Sequence, residues 1–361
     1  TLNLNLNGYT LTSVADLSGT NGCIQSTGAE LNIANGKINN KYGYLFVTNG
    51  YNDKLHLELT DVDIKGSATS AFYFADATEI VLNNVNLDIK GKGFYSFAGA
   101  PKGSIEINGG TFNDDVAHQY YPFEVMMPRE KALKKSESEN LWTVVDAVAY
   151  VAEKEGQYIN EVGYATLDEA ITAAEAGETV TILAGDFTQN LDVQKAITVA
   201  GETDAEGNNL VNFAGKLNIT ADGATVKNIN VNNGGSSAGY INAKNVTVDG
   251  CQVVGGNGFR SCYTKGTVTF KNSVITGGTY GIHFDGSADG NIVIDNCTIT
   301  GWTSFAATIT KVTMKDTRFD NGNYNYVRFY QGAELTGCSF NEEMNVDFAV
   351  DGVEVTVADC T

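Results

Sequence analysis

Apolar and polar positions alternate over short stretches along this chain, and in the C-terminal half one pattern keeps returning. It reads apolar, any, apolar, two turn-type residues, a small or apolar residue, any, apolar. The copies are ATVKNINV, VTVDGCQV, VTFKNSVI, IVIDNCTI, VTMKDTRF, AELTGCSF and VTVADCT. The residue after the turn pair falls at Ile229, Cys251, Ser273, Cys297, Thr317, Cys338 and Cys360, giving steps of 22, 22, 24, 20, 21 and 22 by subtraction. A looser version, LNLNGYTL, LNIANGKI, LELTDVDI, VLNNVNLDI and IEINGGTF, runs through the N-terminal half. Its corresponding residues, Tyr9, Gly36, Val62, Val85 and Gly110, step by 27, 26, 23 and 25.

Two alternating stretches joined by a tight turn, repeated at this period, describe one coil of a solenoid whose strands pair with those of the next coil. Leucine-rich repeats share the period but need a leucine framework that the copies lack. Propellers repeat at about 40 residues or more, and an antiparallel sandwich does not hold so regular a spacing. A left-handed hexapeptide helix needs a six-residue period, which is not found. The pattern therefore predicts an all-β chain, a right-handed parallel β-helix in two tandem modules.

The repeat disappears between Asn113 and Gly163, where Pro122, Pro128 and the polar run from Arg129 to Asn140 change the composition. This divides the chain into an N-terminal module (1–113), a connector with a small β element (114–163) and a C-terminal module (164–361). FEVMM and LWTVVDAVAYV read as strands around a charged loop within the connector. The C-terminal module opens with a helical pattern: Leu167, Ala170, Ile171 and Ala174 share one face, Thr166 is placed as N-cap with Glu169 at the capping-box position, and Gly177 is a natural stop. Such a helix, followed directly by the apolar strand Val180 to Leu183, is expected to cap the open end of the coil stack.

The run YATLDEAITAAEAGETVTILAGDF, with NLDVQKAITVAGE after it, resembles the opening segment of bacterial pectate-lyase-like β-helix domains. TLNLNLNGYTLTS and GGTFNDDV followed by LWTVV are similar to other segments of the same surface-protein families. The resemblance implies a secreted or cell-surface bacterial protein. It does not separate lyases, hydrolases, binding modules and stalks, all of which share the architecture. Because the N-terminal module starts without an opening helix of its own, a further piece upstream of residue 1 is expected.

Composition narrows the partners. With 43 acidic and 23 basic residues the formal net charge is -20, which repels nucleic acid and anionic membranes. No apolar run approaches the roughly 20 residues that span a bilayer, so no membrane insertion by this segment is expected. The six cysteines, Cys23, Cys251, Cys262, Cys297, Cys338 and Cys360, show no CxxC spacing. In the coil register all but Cys23 and Cys262 join Ser273 and Thr317 in one interior ladder of small residues. Only Cys338 and Cys360 fall on adjacent coils, so only that pair is close enough to bridge. Asn218-Ile219-Thr220, Asn245-Val246-Thr247 and Asn296-Cys297-Thr298 match the glycosylation acceptor pattern, which a chain rich in Asn and Thr produces by chance.

Candidate chemistry lies on the outward positions of one strand row, FRSCY, IHFDG, FAATI and VRFYQ. With Phe259, Ile282, Phe305 and Val327 inward, alternation turns Arg260, His283, Ala306 and Arg328 outward, with Cys262, Asp285, Thr308 and Tyr330 beside them. A lyase acting on an acidic polysaccharide needs a basic residue, here Arg260 or Arg328, and acidic ligands for Ca²⁺, of which Asp285 alone is near. A glycoside hydrolase needs paired carboxylates, and the row holds one. Carbohydrate binding needs stacking platforms and hydrogen-bonding side chains, which Trp302, Tyr324, Tyr326 and Tyr330 supply among 17 Tyr and 2 Trp. The sequence thus points to a non-catalytic surface module, a stalk, adhesin-like protein or binder of polysaccharide or host glycan. Its candidate ligand-binding residues are Arg260, His283, Asp285, Trp302, Arg328 and Tyr330, with no assigned catalytic residue, metal or cofactor. The alternative is a polysaccharide lyase or glycoside hydrolase acting on acidic polysaccharide, with Ca²⁺ if it is a lyase.

Overall fold

Every turn pair in the repeat contains Asn, Asp or Gly because the backbone there enters the left-handed region, which those residues tolerate best. The computed structural model describes residues 1–13, 22–26, 30–40, 44–48, 55–66, 70–74, 78–89, 92–96, 104–113, 124–139, 141–155, 158–285, 288–349 and 351–361. Pro122, Asn140 and the side chain of Cys23 lie outside the described residues. In the C-terminal part Asn228, Gly250, Asn272, Asn296, Asp316, Gly337 and Asp359 have φ of 54°, 64°, 51°, 51°, 46°, 64° and 54°. Each stands one residue before the small-residue position, so one corner repeats from coil to coil. The backbone N–H of Asn272 donates to Asp295 O and that of Asn296 to Lys315 O. On the outside, the Asn272 amide donates to Asp249 Oδ1 (2.9 Å) and the Asn296 amide to Asn272 Oδ1 (3.0 Å).

The chain forms two compact units, residues 1–147 with 161–166 and residues 148–160 with 167–361. Both are parallel β-helices. Strands joined by crossovers wind right-handedly in nearly every case, because of their twist.

In the first unit, the long strands Glu30–Asn40, Leu55–Gly66 and Thr78–Ile89 pair in parallel. The register Gly36↔Val62↔Val85↔Gly110 reproduces the sequence steps. Leu57, Leu59, Val62, Ile64, Leu82, Val85 and Ile107 are buried between the faces. The last coil is closed by strands of the connector. Trp142–Asp146 runs antiparallel to Gly110–Phe112, and Lys131–Lys135 runs antiparallel to Trp142–Asp146. The charged loop expected from Arg129 onward therefore contains a strand. Its alternation is masked by lysines that stay outside, Lys131 against Asp146 (2.6 Å) and Lys135 over the Trp142 ring, while Ala132 is buried.

In the second unit, parallel strands run from Thr179–Ile182 to Val355–Ala358 along one face. The register Thr225↔Thr247↔Thr269↔Val293↔Thr313↔Glu334↔Thr356 carries the steps of the sequence pattern. Two further coils precede it, beginning at Thr179–Ile182 and Thr198–Gly201. Their pattern is obscured by an outside excursion, residues 202–210, turned by Asp204 accepting from the Asn208 and Glu206 backbone N–H groups.

The helix spans Leu167–Ala173, with Leu167, Ala170 and Ala174 buried and Ile171 half-buried. Gly177 follows at φ +90°, and Lys195 Nζ donates to the carbonyls of Thr172 and Ala174, satisfying groups that the helix C-terminus leaves free. The helix packs on Thr179–Ile182 and on Ala149–Glu155, the latter strand lying antiparallel along the outer edge of the former. A strand therefore shares the capping with the helix.

The interior ladder is present: Ile229, Cys251, Ser273, Cys297, Thr317 and Cys338 are buried, and Cys360 is half-buried. Ser273 Oγ accepts from Cys251 N (3.1 Å) and donates to Lys271 O (2.7 Å), so the hydroxyl is satisfied inside the corner. Cys251, Cys262, Cys297, Cys338 and Cys360 are free thiols.

Candidate functional site

The strands Asn230–Ile241, Gln252–Cys262, Val274–Phe284 and Thr298–Ser304 are long enough to turn a corner, and their later halves form a third face with Tyr326–Phe329 and Asn345–Phe348. Pairing along this face is Gly239↔Phe259↔Ile282, then His283↔Ser304↔Arg328↔Asp347. Tyr240, Arg260, His283, Arg328 and Asp347 therefore form one outward row, in which Ser304 holds a register position but is buried. A neighbouring outward row holds Tyr280, Trp302 and Tyr326, with Tyr280 paired to Trp302.

Three expectations for this face are corrected by the register. Thr303, not Phe305, lies between Ile282 and Val327, so Ser304 rather than Ala306 takes the position between His283 and Arg328, and it is buried there. Ala306 is buried. The reason is packing: Phe305 stacks between Phe284 (6.4 Å) and Phe329 (6.2 Å) in an interior column of rings, which ends on the exposed Phe348 (5.5 Å from Phe329). Cys262 is fully buried, because Ser261 adopts φ +54° and adds one residue to its strand, so that three steps from Phe259 to Cys262 match two from Ile282 to Phe284. Thr308 lies beyond the strand, its hydroxyl bonded to Ala288 O.

All six candidate ligand-binding residues nevertheless meet on this face. Trp302 stacks on Tyr280 (centroids 5.2 Å, 28° between planes) and is flanked by Tyr326 (5.7 Å) and the exposed Tyr324 (5.9 Å). Arg260 lies over the Tyr280 ring at 5.4 Å, and Arg328 over Trp302 at 5.7 Å and Tyr326 at 5.4 Å. Cations over ring faces hold both flat against the sheet, each worth about 0.5–1 kcal/mol where exposed. Arg328 Nε donates to Asp347 Oδ2 (2.8 Å), and its contacts with Tyr330 and then Asp347 favour the charged guanidinium.

His283 Nδ1 is 3.6 Å from Asp285 Oδ1, beyond hydrogen-bond length, and this buried nitrogen has no hydrogen-bond partner among the described residues. Burial lowers the His283 pKa below the ordinary imidazole value, Arg260 lowers it further, and Asp285 opposes both. The imidazole is therefore neutral at pH 7. Asp285 in turn raises the Tyr263 phenol through its charge. The Trp302 indole N–H is also buried without a hydrogen-bond partner among the described residues.

Tyr280, Ser304 and Asp347 were not singled out from sequence. Strict alternation back from the inward Ile282 turns Tyr280 inward too, but Gly281 and Ile282 are both buried and the alternation skips a step. A Cβ on Gly281 would stand 2.7 Å from Ile299 Cγ2 and 2.9 Å from Thr300 O, so the corner admits only glycine.

The carboxylates of this face do not suit a Ca²⁺ site. That ion takes six to eight oxygens, usually several from carboxylates. Asp347 is committed to Arg328 and Asp192, four coils away, to the Asn218 amide, which leaves Asp285 beside a histidine and a tyrosine. Among the described residues no three His, Cys, Asp or Glu side chains converge, and no helix is long and apolar enough to cross a membrane.

The sequence matches no protein-family model and no curated protein. Solved structures with similarity include pectin methylesterase from Aspergillus niger in deglycosylated form, at 17% identity and TM-score 0.42, covering 55% of this chain and 82% of that one. A penultimately deglycosylated form of the same enzyme gives TM-score 0.37 at 17% identity, with the same coverage. SacteLam55A from Streptomyces sp. SirexAA-E gives 0.21 at 8% identity, covering 90% of this chain and 77% of that one. The β-helix is established here by the strand register of this chain.

Proposed function

We propose that this is a secreted or cell-surface β-helix protein that binds polysaccharide without turning it over, along the face carrying Tyr280, Trp302 and Tyr326. The supporting observation is the aromatic row itself. Three rings stand in register on consecutive coils, clamped by Arg260 and Arg328, with Tyr324 exposed beside them. Sugar rings present apolar C–H faces to such platforms, while Tyr, Ser and Arg groups at the edge meet the hydroxyls. Binding without chemistry is favoured over a lyase or hydrolase because, among the described residues, the two carboxylates of this face that no arginine engages, Asp192 and Asp285, lie four coils, about 19 Å, apart. Acid and base work on a glycosidic bond calls for two within about 10 Å of each other. The resemblance of the opening segments to bacterial surface proteins supports the location.

The test is a glycan array and calorimetry on the 361-residue chain, beside incubation with acidic polysaccharides and Ca²⁺ read by absorbance of unsaturated uronates and by reducing ends. Binding without product is expected. Trp302→Ala should weaken affinity at least tenfold, from about 2 kcal/mol for a central aromatic anchor. Tyr324→Ala, which removes an exposed ring, should weaken it less while leaving the fold intact. Product release, or full binding by Trp302→Ala, overturns the reading.

A further inference from the structure

We propose that the depression between Lys216 and Arg260 is an anion subsite that takes the carboxylate or sulfate of an acidic glycan lying on the aromatic face. The proposal rests on the glycan-binding reading and adds the charge of the ligand and the place where it is read.

The depression, about 420 Å³ and shallow, is lined by Lys216, Asn218, Ser237, Tyr240 and Arg260. Its two cations lie together without a carboxylate partner. In this unit Lys244, Lys271, Lys311, Lys315, Arg318 and Arg328 each lie within 4 Å of a carboxylate, as expected in a chain of net charge -20. Among the described residues Lys195, Lys216, Lys227, Arg260 and Lys265 are paired with none, and of these Lys216 and Arg260 share this depression. The nearest acid along the row, Asp192, is held by the Asn218 amide (2.6 Å). Ser237 Oγ accepts from the Asn257 amide (3.3 Å), which leaves its proton for a ligand oxygen.

Backbone geometry marks the same spot. Ser261 is the one positive-φ position among the described residues occupied by neither Gly, Asn nor Asp, and it follows Arg260 directly. A bulge of this kind re-aims the neighbouring side chain at a cost that an ordinary strand avoids. Here it leaves Arg260 exposed at the mouth of the depression, with its guanidinium over Tyr280. At about 4.8 Å per coil, Arg260 lies about 10 Å from Trp302 along the stack, and the strand after Lys216 lies about 24 Å from that of Arg328. One extended oligosaccharide can therefore reach from the cations onto the aromatic row.

The experiment compares three oligosaccharides of equal length, one carrying uronic acids, one carrying sulfate esters and one neutral, binding to the full chain and to Lys216→Gln and Lys216→Gln/Arg260→Gln. The full chain should prefer at least one acidic ligand over the neutral one by about tenfold or more, the scale of one charge-assisted contact. The preference should fall in Lys216→Gln and vanish in the double variant, with a shallower dependence on salt. Whichever acidic ligand shows it identifies the group as carboxylate or sulfate. Equal binding of all three by the full chain, or a preference that survives the double variant, overturns the anion subsite while leaving glycan binding intact. Absence of binding to every glycan overturns the parent reading and this one with it. Unchanged circular dichroism in Lys216→Gln keeps misfolding out of the comparison.

Discussion

Replacing Asn272 by Ala and by Gly should reverse the order of stability that the two residues show in an ordinary strand. Asn272 sits at φ +51° on the corner of the second unit, exposed, with its amide bonded to Asp249 and its oxygen to Asn296. Alanine would keep the left-handed conformation at about 1–2 kcal/mol and lose both side-chain bonds, each worth about 0.5–1 kcal/mol at the surface. The sum is about 2–4 kcal/mol. Glycine loses the same bonds and adds about 0.5–1 kcal/mol of unfolded-chain entropy, yet takes the conformation freely, for about 1.5–3 kcal/mol. The expected order is Asn, then Gly, then Ala, with about 1 kcal/mol between the last two. The chain has two tryptophans, Trp142 in the first unit and Trp302 in the second. In a Trp142→Phe background, urea titration followed by Trp302 fluorescence therefore reports the second unit. Thr269, in the middle of Thr267–Lys271, provides the control, where Ala should be the better of the two. Alanine equal to or better than glycine at position 272 would refute the account of the corner.

Two further outcomes follow from burial. Because the folded His283 has a lowered pKa, the unfolded chain binds its proton first, and stability is lost as pH falls below about 6.5 toward the folded value. Thermal midpoints of the wild type and His283→Gln should therefore converge between pH 7.5 and 5.5; a constant gap would show that the imidazole is not held neutral. Burial raises the thiols of Cys251 and Cys262 to about 12 and of Cys297 to about 11. A disulfide reagent at pH 8 should modify Cys360 well before these three, as peptide mass mapping would reveal, whereas early labelling of Cys251 would contradict the interior ladder.

The fold was legible because the requirement that sets the period is local. A left-handed corner selects Asn, Asp or Gly whatever the rest of the coil contains, so Asn228, Asn272 and Asn296 can be aligned by eye. The site was less legible because its register is set by contacts between coils. Phe305 looked equivalent to Phe259 and Ile282, but ring stacking moves it onto Phe284 and Phe329 and brings Thr303 and Ser304 into the face. Ser261 inserts a residue that no pattern of apolar positions reveals, and buried Gly281 conceals Tyr280. The strand Lys131–Lys135 went unrecognised because its lysines pair along its outer side. Arg260, His283, Asp285, Trp302, Arg328 and Tyr330 were still found together, since an error of two residues along a strand preserves the side on which a residue stands.

Coil lengths in the second unit differ, yet the strands carrying Thr225, Thr247, Thr269, Val293, Thr313, Glu334 and Thr356 pair in step, because the surplus residues are taken up by bulges on another face and by outside excursions such as 202–210. Length and register are thereby decoupled. A whole coil could be gained or lost without scrambling the remaining ones, and each coil gained would lengthen the aromatic face by about 4.8 Å. Reach along a glycan is then a quantity that gene duplication can adjust in fixed increments, while the sugar preference is rewritten separately by single outward substitutions on each coil.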